Sequence, residues 1–193
     1  MRMIVGLGNP GQGYANSLHN LGFMCLNYFA RKHHIRFNKK QAKARVGKGE
    51  ISDSELIVAR PQTYMNQSGQ AVSRLVKKHK VNLDNLLVVH DDLDLPLGKI
   101  RFSSSGGSGG HKGVTSIIHE LGSPDFIRLR VGIGRPSATN GLPNVPDADI
   151  VTYLVSELPL EEKKAINQIM PKVSEAVLCL LTEGLTAAMN KYN

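Results

Sequence analysis

The first 49 residues contain no aspartate and no glutamate, while Arg2, Arg31, Lys32, Arg36, Lys39, Lys40, Lys43, Arg45 and Lys48 lie among them. The 193-residue chain carries a formal charge of +8 at pH 7, so this N-terminal quarter holds the whole excess. Charge of one sign concentrated in this way points to a polyanionic partner, because each phosphate neutralised by Lys or Arg releases condensed counterions. Long apolar runs are missing too. None approaches the roughly 18 residues of a membrane helix, and Ile4-Val5 is cut short by Gly6, Gly8 and Pro10 before a signal-peptide core can form. A soluble cytoplasmic protein with no membrane association is expected. Cysteine is scarce: Cys25 and Cys179 are far apart and show neither C-x-x-C nor zinc-ligand spacing, so both read as buried thiols in a reducing compartment. At this length, and with 41% apolar residues, the chain can still build one domain with a full core.

Apolar periodicity places the elements. Met3 to Leu7 reads as a strand, followed by a helix with Leu21, Met24, Cys25 and Tyr28 on one face. Glu55 to Arg60 is a second strand, stopped by Pro61. The next helix carries Val72, Leu75 and Val76, with Ser68 as its expected cap and Lys77-Lys78-His79-Lys80 in its last turn. Leu86 to His90 has the continuous apolar character of a strand buried on both faces, and it runs directly into Asp91-Asp92-Leu93-Asp94. Lys99 to Ser103 and Arg128 to Ile133 read as strands, and Ile150 to Val155 as one more. A helix with Val114, Ile117, Ile118 and Leu121 inward follows the Ser/Gly run. From Pro159 the pattern is helical, with Pro171 expected to kink or break it and Gly184 to end a segment. Pro136 to Asp147 reads as a mobile surface loop. Strands alternating with helices predict an α/β fold with a sheet covered on both faces, mixed or largely parallel.

Two glycine-rich stretches invite a nucleotide-binding reading, and neither sustains it. Gly6-Leu7-Gly8-Asn9-Pro10-Gly11 matches G-x-G-x-x-G, but a dinucleotide site also needs a carboxylate about 20 residues further on, where this chain has none. In Gly109-Gly110-His111-Lys112-Gly113 the residues around the lysine are wrong for a P-loop, which requires Gly before it and Ser or Thr after it. What remains is a pair of loops that deliver polar side chains: Asn9 from one, His111 and Lys112 from the other. His19, ten residues after Asn9, is a candidate general base. A carboxylate at a strand end would orient it, with Asp91 the leading one.

The stretches GLGNPGQGYANSLHNLGF (6 to 23), RPQTYMNQSGQAV (60 to 72), VVHDDLDLPLGKIR (88 to 101), GGSGGHKGVTSI (106 to 117) and RLRVGIGRP (128 to 136) closely resemble the bacterial-type peptidyl-tRNA hydrolases, in the family's order and spacing. The resemblance implies a single three-layer α/β/α domain over residues 1–193 with a mixed, twisted central sheet, acting as a monomer. Its implied reaction is hydrolysis of the ester between a peptide, or an N-blocked aminoacyl group, and tRNA, recycling peptidyl-tRNA released prematurely from ribosomes. Water activated by histidine attacks, with no covalent intermediate, no metal and no cofactor. Carried over by position, the implied catalytic residues are His19, Asp91 and Asn9, and Asn66 and His111 are implied at the substrate. Arg101 and Arg130 match positions that grip phosphates of the tRNA acceptor end. Tyr14, Tyr64 and Met65 are expected to wall the site.

Lys112 stands where the family usually has Asn, and is expected to donate to a peptide carbonyl. Leu18 replaces a common Arg, which is expected to remove only a surface cation. Asp92 and Asp94 are read as loop and helix-dipole partners, not as ligands for Mg²⁺. The alternative function is that of a non-catalytic RNA-binding relative active in RNA processing, which the intact Asn9, His19, Asp91 and Asn66 disfavour.

Overall fold

The structure, a computed structural model, describes residues 1–136 and 147–193. Apart from its two end residues, the surface loop expected between Pro136 and Asp147 lies outside them.

Among the described residues, seven strands form one sheet: β1 (Arg2–Gly6), β2 (Lys39–Gln41), β3 (Ala44–Ile51), β4 (Ser54–Pro61), β5 (Leu86–Asp92), β6 (Ile100–Ser103) and β7 (Ile127–Gly132). Their spatial order is β2-β3-β4-β1-β5-β7-β6. The central β4-β1-β5-β7 run is parallel, while β2-β3-β4 pair antiparallel at one edge and β6 antiparallel to β7 at the other. The mixed sheet expected from the sequence is what forms.

Alternation along β1 and β5 divides the core. Ile4, Leu87 and Val89 pack with α1 (Leu21–Lys32), α5 (Leu160–Glu183) and α6 (Leu185–Tyr192) on one face. Met3, Val5 and Val88 pack with α2 (Ser68–His79) and α3 (Lys112–Leu121) on the other. This is the three-layer α/β/α arrangement, with apolar strands covered on both sides. Cys25 and Cys179 are both free and buried, and burial pushes the Cys25 thiol up to about 12, which keeps it an inert thiol.

Several local expectations fail for physical reasons. Residues 150–155 belong to a helix, α4 (Asp147–Val155), not a strand. Ile150, Tyr153, Leu154 and Val155 are its less exposed positions, the first three at i, i+3 and i+4, and the Tyr153 hydroxyl donates to the Ile133 carbonyl at 3.0 Å. Pro171 does not break α5, because packing of Ile166, Ile169, Val173 and Val177 outweighs one lost hydrogen bond and Asn167, four residues earlier, faces solvent. Ser68 does not cap α2: it is the first helical residue, fully buried, and its hydroxyl meets Met65 Sδ. Leu18 is 2% exposed and belongs to the core, so the departure there is a packing change and not the loss of a surface cation. The β2-β3 hairpin is absent from the pattern reading. Its turn residues Ala42 and Lys43 adopt φ of 48° and 59°, the conformation that Asn-Gly usually signals.

Candidate active site

The C-terminal ends of β1, β4 and β5 lie side by side, so the loops that leave them converge. How closely they converge depends on glycine at two facing positions. A Cβ on Gly22 would sit 2.3 Å from the Val89 carbonyl oxygen, and one on Gly6 would sit 2.3 Å from the Gly22 carbonyl oxygen. The missing side chains let the first turn of α1 rest on the backbone of β1 and β5. That contact carries Leu18-His19-Asn20, a 3-10 turn directly before α1, against the strand ends. The glycine-rich loop thus delivers Asn9, as expected, and Gly6 serves helix packing as well.

Asn9 is fixed from three directions. Its backbone N–H donates to Asn20 Oδ1 at 2.7 Å and its carbonyl accepts from Asn20 Nδ2 at 3.0 Å, so one buried side-chain amide clamps the loop. The Met65 N–H, which can only donate, lies 2.7 Å from Asn9 Oδ1. The amide orientation follows: Oδ1 faces Met65, and Nδ2 keeps its hydrogens without a protein acceptor among the described residues.

Asp91, 2% exposed at the end of β5, accepts from two imidazoles. His19 Nδ1 is 2.9 Å from Oδ2, and His111 Nε2 is 3.1 Å from Oδ1. Burial alone pushes the Asp91 carboxyl up, but the two imidazoles facing it outweigh burial and hold it below the ordinary carboxylate range. An ionised carboxylate only accepts, so His19 carries its proton on Nδ1 and presents a bare Nε2 lone pair. His111 caps α3: its Nδ1 accepts from the Gly113 and Val114 N–H groups at 3.1 and 3.3 Å, which places its own proton on Nε2, toward Asp91. Both ring nitrogens of His111 are therefore engaged within the protein, and neither is left for the substrate contact expected of it.

His90, buried against this group with its ring 4.7 Å from His111, donates from Nδ1 to the Asp91 carbonyl at 2.6 Å. Burial, together with neighbouring His111, lowers it to about 3, so it stays neutral.

The ligand-type atoms of His19, Asp91 and His111 lie within 4.8 Å of one another, close enough to ask whether they hold a metal. The donor chemistry argues against it. With Nδ1 of His111 accepting two N–H groups, Nε2 bears the proton and has no lone pair to offer. The nearby carboxylates are committed elsewhere: Asp92 pairs with Arg130 Nε at 2.5 Å and Asp94 with Arg135 at 2.7 Å. No helix begins there, so the helix-dipole role read for these aspartates is replaced by ion pairs with arginine.

The expected wall does not form as one surface. Met65 is 4% exposed and packs into the core beside Gly113, Tyr64 is 61% exposed, and Tyr14 is half-buried. Asn66 is exposed on the turn after β4, and Lys112 is exposed at the first position of α3; neither has a partner among the described residues. Arg101 and Arg130 are register partners on β6 and β7 and so share a face.

Sequence reasoning assigned no role to Asn20 or Arg128. The buried Arg128 guanidinium donates to the carbonyls of Gly106 and Gly107 at 2.7 and 2.8 Å and to Pro124 at 2.8 Å, which ties down the Ser/Gly run before His111. Its burial was not legible, because β7 carries two arginines, Arg128 and Arg130, and only the fold decides that Arg128 is the buried one.

A family model described as peptidyl-tRNA hydrolase matches residues 3–193. The chain is 45% identical over 193 residues to a peptidyl-tRNA hydrolase of Dehalococcoides mccartyi (strain CBDB1), covering all of both chains. It is 44% identical to one of Carboxydothermus hydrogenoformans, covering all of this chain and 98% of the other. The crystal structure of peptidyl-tRNA hydrolase from Acinetobacter baumannii superimposes with a TM-score of 0.91 at 32% identity, covering 100% of this chain and 94% of that one.

Proposed function

This chain belongs to the peptidyl-tRNA hydrolase family and is a hydrolase of peptidyl-tRNA; from that premise we propose that His19 activates the attacking water and that Asn9 stabilises the charge developing on the ester carbonyl. The observation that carries the reading is the Asp91–His19 contact, which leaves Nε2 unprotonated and outward.

Nε2 takes a proton from water as the oxygen attacks the carbonyl between the peptide, or N-blocked aminoacyl group, and the terminal ribose. The carbonyl oxygen becomes an oxyanion and accepts from Asn9 Nδ2, whose direction is preset by the Met65 N–H and therefore needs no reorganisation in the reaction. Collapse of the intermediate breaks the ester bond. The imidazolium returns the proton to the leaving ribose oxygen, giving a free peptide carboxylate and a tRNA that can be charged again. Asp91 stabilises the imidazolium while it exists, and His111, through Asp91, acts as a positioning residue. Asn66 and Lys112 donate to peptide carbonyls, Tyr14 and Tyr64 flank the peptide, and Arg101 and Arg130 take phosphates of the acceptor end.

No step requires a metal or a cofactor. The chain works as one domain and as a monomer in the cytoplasm; no helix among the described residues is long and apolar enough to cross a membrane. A non-catalytic role in RNA processing is disfavoured, since binding alone gives no reason to bury an ionised carboxylate beneath a histidine.

Turnover of a defined peptidyl-tRNA by the wild type and by His19→Ala tests the reading. The variant should lose about 10²-fold or more in kcat while its melting transition stays close to wild type. Near-normal turnover in the variant would remove His19 from the mechanism.

A further inference from the structure

The basic N-terminal quarter is not explained by the phosphate grip assigned above. Arg101 and Arg130 sit at the β6-β7 edge, whereas the basic segment folds into the end of α1 and the β2-β3 hairpin at the opposite edge of the sheet. A groove of about 390 Å³ opens on that side. It begins at Asn9 and Asn20, passes Phe23 on α1 and Phe37, and ends against Arg45 and Arg60.

Arg45 and Arg60 are direct partners in the β3-β4 register, so their side chains leave the same face of the sheet. Like charges placed directly opposite on paired strands destabilise the pair unless something offsets them. No carboxylate does so, because neither guanidinium has an ion pair or a hydrogen bond among the described residues. The Arg60 guanidinium is held in place, its Cζ 4.3 Å from the centroid of Phe37 and 5.7 Å from that of Phe23. Its Nε is buried with no acceptor. Burial, and the Arg45 charge beside it, lower the Arg60 pKa from its ordinary value, as expected of a cation lacking its counter-charge. The two guanidiniums thus sit with unused donors in a concavity whose lining extends to Asn9.

We propose that this groove is an anion subsite for the RNA arm of the substrate, in which Arg45 and Arg60 together grip a phosphodiester of the single-stranded 3′ end, within one or two nucleotides of the ester. The proposal rests on the hydrolase reading above. Charge and constancy favour RNA over peptide: every substrate molecule carries phosphates next to its terminal ribose, while a carboxylate in the peptide depends on its sequence. The planar forks of two arginines suit phosphate oxygens. Shape favours a single strand. The inner end of the groove is formed by Asn9 and Asn20, which are 8% and 3% exposed, a depth that a nucleotide can reach and a duplex cannot. The volume lies within the range of small-ligand sites, about 300–1,000 Å³.

Arg45→Gln, Arg60→Lys and the double variant test the assignment, with thermal melting as the check on folding. With peptidyl-tRNA, Arg45→Gln should raise KM about tenfold, the equivalent of one charge-assisted contact, with any fall in kcat smaller than the rise in KM. The log-log salt dependence should become shallower by about 0.7, the value for one single-strand phosphate. Arg60→Lys, which keeps the charge and loses the fork, should fall between wild type and the double variant. A short single-stranded RNA with a free 3′ hydroxyl, followed by fluorescence anisotropy, should bind Arg45→Gln more weakly with the same reduction in slope, while a blunt RNA duplex binds both proteins alike. A folded Arg45→Gln protein with unaltered KM, salt slope and oligonucleotide binding overturns the proposal. So does a KM effect confined to substrates with acidic peptides, which would assign the groove to the peptide. Failure of the wild type to turn over peptidyl-tRNA would instead overturn the hydrolase reading, and the oligonucleotide measurements would still decide the groove.

Discussion

Asp91 accepts from His19 with one oxygen and from His111 with the other, and the two contacts have different consequences. His19 is left with a free Nε2 lone pair, whereas the Nδ1 lone pair of His111 is occupied by two backbone N–H groups. The same tautomer argument bears on metals. Exhaustive chelation should leave hydrolysis of a small N-acyl-aminoacyl ester unchanged, a substrate chosen because folded tRNA itself needs Mg²⁺; loss of activity restored by added metal would overturn the tautomer assigned to His111. His90 gives the cluster a pH signature. Its folded pKa, about 3, lies below the unfolded value, so the folded state holds it neutral while the unfolded state takes up a proton. Where the unfolded state binds more protons, stability rises with pH. The His90 contribution is therefore present above the ordinary histidine range and is lost as the pH falls toward 3. Denaturant unfolding measured at about pH 4 to 6 should show a clearly flatter pH dependence in His90→Gln than in the wild type; equal slopes would mean that His90 is not the buried neutral group.

The position of α1 on the sheet sets the geometry of the site, because the turn before it carries both His19 and the Asn20 clamp. Gly22→Ala brings a methyl within 2.3 Å of the Val89 carbonyl oxygen and 2.5 Å of the Leu7 nitrogen, both backbone atoms that cannot step aside. The helix must lift, at a cost of about 1–3 kcal/mol typical of overpacking. Because the lift moves His19 away from Asp91, kcat should fall together with Tm. A variant that melts lower yet keeps full kcat would show that α1 and the catalytic turn move independently. Before α3 the serine hydroxyls of the Ser/Gly run make no hydrogen bond among the described residues, and Arg128 supplies the donors from β7. A flexible segment is thereby anchored directly before the residue that caps the helix and touches Asp91.

Across the molecule, cations stand on both sides of the reacting centre: Arg101 and Arg130 toward the β6-β7 edge, and the basic hairpin with Arg45 and Arg60 toward the β2-β3 edge. Only the first pair is assigned to the acceptor duplex. Arg101, exposed and without an ion partner among the described residues, should lose one duplex phosphate contact on change to Gln, making the salt slope of KM shallower by about 0.9. Arg130→Gln should give a smaller change, since its charge is already partly matched by Asp92. Salt slopes unaltered in both would place the acceptor stem elsewhere.

Periodicity and short motifs were sufficient for most of the frame. The parallel strands, α1, α2, α3 and the long C-terminal helix follow from apolar spacing, because a strand or helix buried against a sheet must repeat at two or at three to four residues. His19, Asp91 and Asn9 were legible because each lies in a motif next to a strand end. Elements held by something other than apolar repeats were not legible: the polar β2-β3 hairpin depends on its neighbour β4 for a pairing edge, and α4 carries a β-branched run that the packing of Tyr153 and Leu154 on the core and the Tyr153–Ile133 hydrogen bond override. Pairings between distant segments were equally hidden. That His111 spends both nitrogens inside the protein, that Asn20 clamps Asn9, that Arg128 ties a glycine loop and that Arg45 faces Arg60 are consequences of strand order and register. Local sequence encodes which face of an element is apolar; hydrogen-bond partners between residues as far apart as 19 and 91 exist only once the sheet has brought its edges together.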